Sequence, residues 1–165
     1  MLSDSLQSAL NDQINDEFHA AYLYLSMAEY FEANNLTGFA HWMRMQREEE
    51  IGHGMKIYDF VLDRNGRVEL QAIDAPPHDY DSPLDACERA LEHEKKVTGK
   101  INDLYDLAKE KRDYSTEALM QWFVIEQVEE EASALQLVEQ LEMAGDDRAA
   151  LLMLDREMGS RTSAE

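Results

Sequence analysis

From about Ser5 to Ala33 the apolar residues Leu6, Leu10, Ile14, Phe18, Tyr22, Leu25 and Tyr30 recur at three- and four-residue steps, the period of one helix face. Ser3 or Ser5 suits its start and Asn34-Asn35 its end. A second helix is predicted from residue 37 to residue 64, stopped by Asn65-Gly66. Each would span roughly 40 Å at 1.5 Å per residue, longer than the usual globular helix. Ser82-Pro83 then places a cap and a first-turn proline ahead of a third helix, residues 83 to 111, with Asp85 adding negative charge to its first turn. A short turn near Arg112-Asp113-Tyr114 leads to a fourth helix, residues 115 to 144, which Gly145 stops. Asp146-Asp147 caps a fifth, residues 147 to 158, carrying the apolar run Ala149 to Leu154. Gly159 to Glu165 is expected to fray.

Residues 65 to 82 break this pattern with Gly66, Pro76 and Pro77, and Val68-Glu69-Leu70-Gln71 alternates as a short extended piece would. Eighteen extended residues reach roughly 60 Å, enough to run the length of a bundle. A tight turn forces the next helix antiparallel, whereas this connection permits a parallel one. The expectation is an all-α four-helix bundle, one domain over residues 1 to 165, with a long crossover between helices 2 and 3 and a short fifth helix.

Composition supports helix throughout: three prolines and seven glycines in 165 residues, with 44% hydrophobic. A formal charge of −20 argues against nucleic acid or an anionic membrane as a direct partner, since phosphate binding needs clustered cations. An acidic field draws in cations and keeps an assembly soluble. Cys87 is the single cysteine, which excludes an internal disulfide and a Cys-x-x-Cys metal ribbon. Neither a signal peptide nor an apolar run of membrane-spanning length is read, so the expected setting is a soluble, reducing, cytoplasmic one.

The chemistry gathers at Glu50-x-x-His53, a spacing that puts carboxylate and imidazole on one helix face. Alone the pair is weak. Glu17, mid-way along the first helix, precedes Glu50 by 33 residues, and Glu94 precedes Gln127 by 33, with Glu130 three further on. A shift of 77 residues thus lays Glu17 on Glu94, Glu50 on Gln127 and His53 on Glu130. The chain reads as two similar helical hairpins, each offering a mid-helix carboxylate and an i,i+3 polar pair at one level of the core.

The runs Glu48-Glu49-Glu50 and Glu129-Glu130-Glu131 can also be solvated faces. Yet three consecutive residues span about 200° of helix circumference, so one of each run faces inward. A bare buried carboxylate is costly and seeks a partner; a metal satisfies several at once. Gly52 and Gly54 flank His53 at a helix-interior cost of about 1 kcal/mol each against Ala, which marks either a functional site or close helix packing. Carboxylates with one imidazole and no thiolate favour iron or manganese over structural zinc, with Zn²⁺ remaining a competitor.

With Asn15-Asp16-Glu17-Phe18, Glu49-Glu50-Ile51-Gly52-His53, His93-Glu94 and Gln121 to Glu131, the chain resembles the ferritin family over essentially its whole length, the bacterial non-haem ferritins above all. The resemblance implies an iron store with ferroxidase activity. Fe²⁺ would be oxidised by O₂ or H₂O₂ and laid down as ferric mineral inside a homo-oligomeric cage of 24 subunits. It implies Glu17, Glu50 and His53 as ligands of a first iron, Glu94 and Glu130 of a second with Glu50 bridging, and Gln127 as a hydrogen-bonding neighbour. Glu49, Glu126, Glu129 and Glu130 match a third iron site. Tyr24 matches a tyrosine beside the centre; it is either a redox participant or a core aromatic. Trp122 reads as packing before electron source.

Ile51 stands where bacterioferritin carries its haem-ligating methionine, so no haem is expected. Gln127 to Glu130 replaces a second Glu-x-x-His. One cysteine cannot build a rubredoxin-like segment. His19, His41 and His93 read as surface or packing residues, His78 as a crossover residue, and Cys87 as a small buried one. The apolar fifth helix suits subunit association. Two rivals remain: a di-iron oxygenase or peroxidase without a storage role, which needs an open substrate pocket, and a metal-free acidic bundle.

Overall fold

The computed structural model describes residues 2 to 162. Its elements are α1 (Asp4–Ala33), α2 (Thr37–Asp63), α3 (Pro83–Glu110), α4 (Tyr114–Ala144) and α5 (Arg148–Met158). Four starts use a side-chain cap: Ser3 accepts from the Leu6 amide, Ser82 from Asp85, Asp113 from Thr116, and Asp147 from Ala149 and Ala150. Asn35 and Asn65 take left-handed backbone at the ends of α1 and α2, where the sequence places the stops. The α3–α4 turn is tighter than expected. Asp113 caps α4 and also takes a forked pair from Arg64, at 2.9 and 2.8 Å, so α4 begins at Tyr114 rather than Ser115.

α1 pairs with α2 and α3 with α4 as antiparallel hairpins. Tyr24 meets Glu94 while Asp16 meets Lys100, so α3 runs against α1 and parallel to α2. The crossover makes this possible by climbing along α1: Arg67 and Glu69 bond to Gln7 and Asn11, Gln71 to Asp12, and Pro77 to Ser26. Residues 67 to 80 form no strand; Val68 packs against the core while Leu70 stays 71% exposed.

Two apolar clusters fill the bundle. One, with Met27, Phe31, Phe39, Met43 and Leu141, sits toward the α1 C-terminus; the other, with Leu6, Leu10, Ile57, Ile101 and Met120, sits toward its N-terminus. Buried polar groups from all four long helices lie between them.

Leu36, the N-cap residue of α2, supplies no side-chain cap. Asp155 of α5 supplies it instead, its Oδ1 accepting from the Gly38 amide at 2.8 Å and the Phe39 amide at 3.0 Å. A Cβ at Gly38 would overlap the Asp155 carbonyl, so the glycine is what lets α5 dock. The tail corrects the expectation of fraying at its near end. Arg161 lies against Glu49 and Trp42 and its carbonyl accepts from His41, while residues 163 to 165, also expected to fray, fall outside the described residues. Among the described residues no helix is long and apolar enough to cross a membrane.

Candidate metal centre

Between the two apolar clusters, helical spacing aims one set of donors inward from each long helix. α1 gives Glu17, α2 gives Glu50 and His53, α3 gives Glu94, and α4 gives Gln127 and Glu130; all six are buried. Their ligand atoms form two overlapping groups. Glu17, Glu50 and His53 each offer an atom within 4.8 Å of the others, and so do Glu50, Glu94 and Glu130. Glu50 belongs to both. The 77-residue offset thus becomes a spatial relation, with Gln127 and Glu130 standing opposite Glu50 and His53.

The electrostatics of the cluster are those of acids buried together. Burial first, then neighbouring carboxylates, pushes Glu130 up to about 10 and Glu50 well above the carboxylate range. Burial raises Glu17 to about 7, against hydrogen bonds from Gln13 and Glu50 that lower it. The Glu17 and Glu50 carboxyls act on each other, and burial favours protons held between them. Burial lowers His53 to about 4, leaving a neutral imidazole whose Nδ1 lies 3.3 Å from Glu50 Oε2 and 3.6 Å from Glu130 Oε1. Trp122 and Phe123 stand edge-on to that ring, and Lys56 lies over the indole, 4.0 Å from its centroid.

These residues fit a pair of divalent cations. Glu130 Oε2 is buried and has no hydrogen-bond partner among the described residues, an acceptor that a cation would satisfy. Four carboxylates balance two divalent charges, and a neutral imidazole completes a hard, oxygen-rich donor set.

Supporting bonds differ between the halves. Gln13 Nε2 donates to Glu17 Oε1 at 2.8 Å. The Tyr24 hydroxyl donates to Glu94 Oε1, and Gln127 Nε2 lies 3.3 Å from Glu94 Oε2, from the Glu94 carbonyl and from Thr98 Oγ1. Thr98 in turn donates to Glu131. Gln13 and Thr98 went unnoticed in the sequence, although each lies one turn from a predicted donor on the same helix face.

The remaining site candidates lie outside both groups. Glu49 is half-buried and paired with Arg161. Glu126 is partly buried and raised by burial, then by the charges of Glu129 and Glu49; Glu129 is exposed. His19 and His93 face each other in the α1–α3 seam with ring centroids 6.1 Å apart. Of the two glycines beside His53, Gly54 packs against the Phe18 ring, while a side chain at Gly52 would meet open space. Close packing explains Gly54; nothing in the structure explains Gly52. Cys87 is buried, as expected.

Residues 7–144 match the family described as Ferritin, Ferritin-like domain. The chain is 40% identical over 161 residues to the bacterial non-heme ferritin of Bacteroides fragilis, covering 98% of this chain and 100% of that protein. It is also 40% identical over 165 residues to that of Staphylococcus aureus, covering 100% and 99%. A solved structure of an open-pore ferritin from the archaeon Archaeoglobus fulgidus superposes with a TM-score of 0.97 at 51% identity, over 98% of this chain and 100% of that one. A humanized archaeal ferritin gives 0.98 at 48%, over the whole of both chains.

Proposed function

The chain belongs to the ferritin family, and from that premise we propose that it is an iron-storage ferritin whose buried carboxylate–histidine cluster oxidises Fe²⁺. The observation that carries this reading is the pair of donor groups sharing Glu50. Glu17, Glu50 and His53 take one Fe²⁺ substrate ion; Glu50, Glu94 and Glu130 take the second. Binding displaces the protons that burial holds on Glu50 and Glu130. Two Fe²⁺ give up one electron each: O₂ with two protons leaves as H₂O₂, or H₂O₂ with two protons leaves as two waters. Carboxylates bind Fe³⁺ more strongly than Fe²⁺ and so favour the oxidised pair.

Gln13 orients Glu17, and Tyr24 and Gln127 orient Glu94. Tyr24, fully buried and bonded to a ligand, is also placed to give an electron. The surrounding apolar clusters restrict the site to small reactants: none of the six donors lines the cavity between α1 and α3, which reaches only the supporting Gln13, or the one beside α5, which disfavours an organic substrate.

Glu49, Glu126 and Glu129, with Glu130, form a third iron site beside the pair. The product is stored as ferric mineral in a 24-subunit cage in the cytoplasm. The exposed Met143, Leu152 and Met153, at 80%, 52% and 70%, support burial against other copies. Size-exclusion chromatography with stopped-flow Fe²⁺ oxidation tests the whole reading. A large assembly with a fast phase of two Fe²⁺ per subunit, followed by continued iron uptake, is expected. A monomer or dimer that turns over an organic substrate would overturn it.

A further inference from the structure

Glu49 already holds a cation of this chain's own. Arg161, three residues beyond α5, donates through Nη2 to both of its oxygens, at 3.1 and 2.9 Å. The guanidinium carbon sits 4.8 Å from the centroid of Trp42, and the Arg161 carbonyl accepts from His41 Nε2 at 2.8 Å. Trp42 and Glu49 are seven residues apart, two turns along one face of α2, so the segment leaving α5 folds back along α2 and lays its charge on Glu49.

The pair is well placed to form and to break. Arg161 and Glu49 side chains are 25% and 26% exposed, desolvated enough to attract and wet enough to exchange. Among the described residues Arg161 Nη1, buried at a cavity of about 270 Å³ whose wall includes Gln140, has no hydrogen-bond partner, and neither has Gln140 Oε1. The guanidinium is therefore only half satisfied where it rests.

We propose that Arg161 is a displaceable counter-ion that sets the affinity of the third site: it neutralises and holds Glu49, and a divalent cation binding there must first break the Arg161–Glu49 pair. The inference rests on the assignment of Glu49 and Glu126 to that site. Glu126, Glu129 and Glu49 share one field, since the latter two charges help to raise Glu126. Removing the arginine takes away the cation bound to Glu49, leaves Lys56 as the cation acting on Glu126, and frees Glu49 to take a metal ion. The di-iron pair, which Arg161 does not touch, should bind as before.

The test uses the full chain and Zn²⁺, which binds without redox chemistry, followed anaerobically by calorimetry. In the parent protein two Zn²⁺ per subunit are expected to bind tightly and a third weakly. Arg161→Ala should tighten the third by roughly two- to fivefold, the scale of one partly exposed ion pair, with the first two unchanged. Arg161→Lys keeps the charge but loses the planar guanidinium stacked over Trp42, and should fall between. In a Trp122→Phe background the third Zn²⁺ should shift Trp42 emission, and Arg161→Ala should abolish that shift, which a merely structural arginine would not do. An unchanged or weaker third ion in Arg161→Ala, while Glu126→Gln abolishes that ion, overturns the counter-ion role and leaves the site standing. A third ion indifferent to both Glu49→Gln and Glu126→Gln removes the site and the inference together.

Discussion

Tyr24 and Glu94 meet across 70 residues of sequence, the phenol of α1 donating to Oε1 of a carboxylate on α3. Gln127 approaches the other oxygen, at 3.3 Å. Both oxygens of Glu94 are thus engaged by protein groups, while Glu130, the other carboxylate of that half, has a buried oxygen with no partner among the described residues. On the proposed reading one ligand is preset and its neighbour is left free to close on the metal. A partner that orients a ligand is worth about 10–100-fold in metal affinity or activity.

Tyr24→Phe is therefore expected to weaken the second ion and slow the fast Fe²⁺ oxidation phase by roughly 10–100-fold. The first ion, held by Glu17 and His53, should be spared. The Tyr24 bond holds Glu94 down against burial, so its loss also leaves Glu94 protonated to higher pH. Anaerobic Fe²⁺ titration and stopped-flow absorbance check both parts; equal weakening of both ions would sink the assignment of Tyr24 to one half.

Glu50 is shared, so its removal should differ in kind from that of its neighbours. Glu17→Ala and Glu130→Ala should each cost one tightly bound ion per subunit, and Glu50→Ala both. Each should slow the fast phase by at least the roughly 10–100-fold of a lost supporting residue. Counting Zn²⁺ equivalents by calorimetry separates these outcomes. A Glu50→Ala protein that still binds two ions would refute the bridge.

The metal-free cluster predicts its own pH dependence. Glu17 at about 7 and Glu130 at about 10 stand above the 4.5 of an exposed glutamate. Folded, they keep protons that the unfolded chain has lost, so their contribution to stability is full below pH 4.5 and is lost as pH rises through those values. His53, lowered from 6.5 to about 4, has the opposite sign: its contribution is full above 6.5 and fades as pH falls toward 4. Above pH 6.5, where only the acids titrate, the apo-protein Tm should fall with rising pH, and Glu130→Gln should flatten the slope. Scanning calorimetry of the metal-free assembly measures this. Loading with Zn²⁺ should release protons to a pH-stat and restore Tm; loading without proton release would contradict the protonated cluster.

What the sequence made legible was what repeats. Helical period marked the five helices to within a residue or two, because caps such as Ser82-Pro83 and Asp147 act locally. The 33- and 77-residue spacings marked the donors, since a hairpin fixes which levels of two helices face each other. Partners that lie far apart in the chain carry no such period. Arg161 on Glu49 spans 112 residues and Asp155 on Gly38 spans 117. Tyr24 could be placed near the centre but not on Glu94. The repeat also fails to extend to supporting residues: Gln13 maps onto Ala90 and Tyr24 onto Ile101, so each half holds its carboxylate differently.

Asp155 carries the last prediction, because it joins α5 to the start of α2. Its carboxylate is buried, 8% exposed, and accepts from two amides that no residue near Leu36 can satisfy. Losing a helix cap costs about 0.5–2 kcal/mol; here the loss also strands two buried amide donors, which adds about 1–3 kcal/mol for an unsatisfied group. Asp155→Ala should therefore destabilise by more than an ordinary cap deletion. Asp155→Asn keeps an acceptor and should cost less. Gly38→Ala acts on the same junction by sterics, as its methyl meets the Asp155 carbonyl and pushes α5 away. Since Arg161 lies just beyond α5, that displacement should also loosen its hold on Glu49, whereas the buried cluster lies on the long helices and should keep its two ions. Thermal denaturation beside Zn²⁺ counting distinguishes the cases. A Gly38→Ala protein with parental Tm and an unaltered third ion would show that α5 docks by other means.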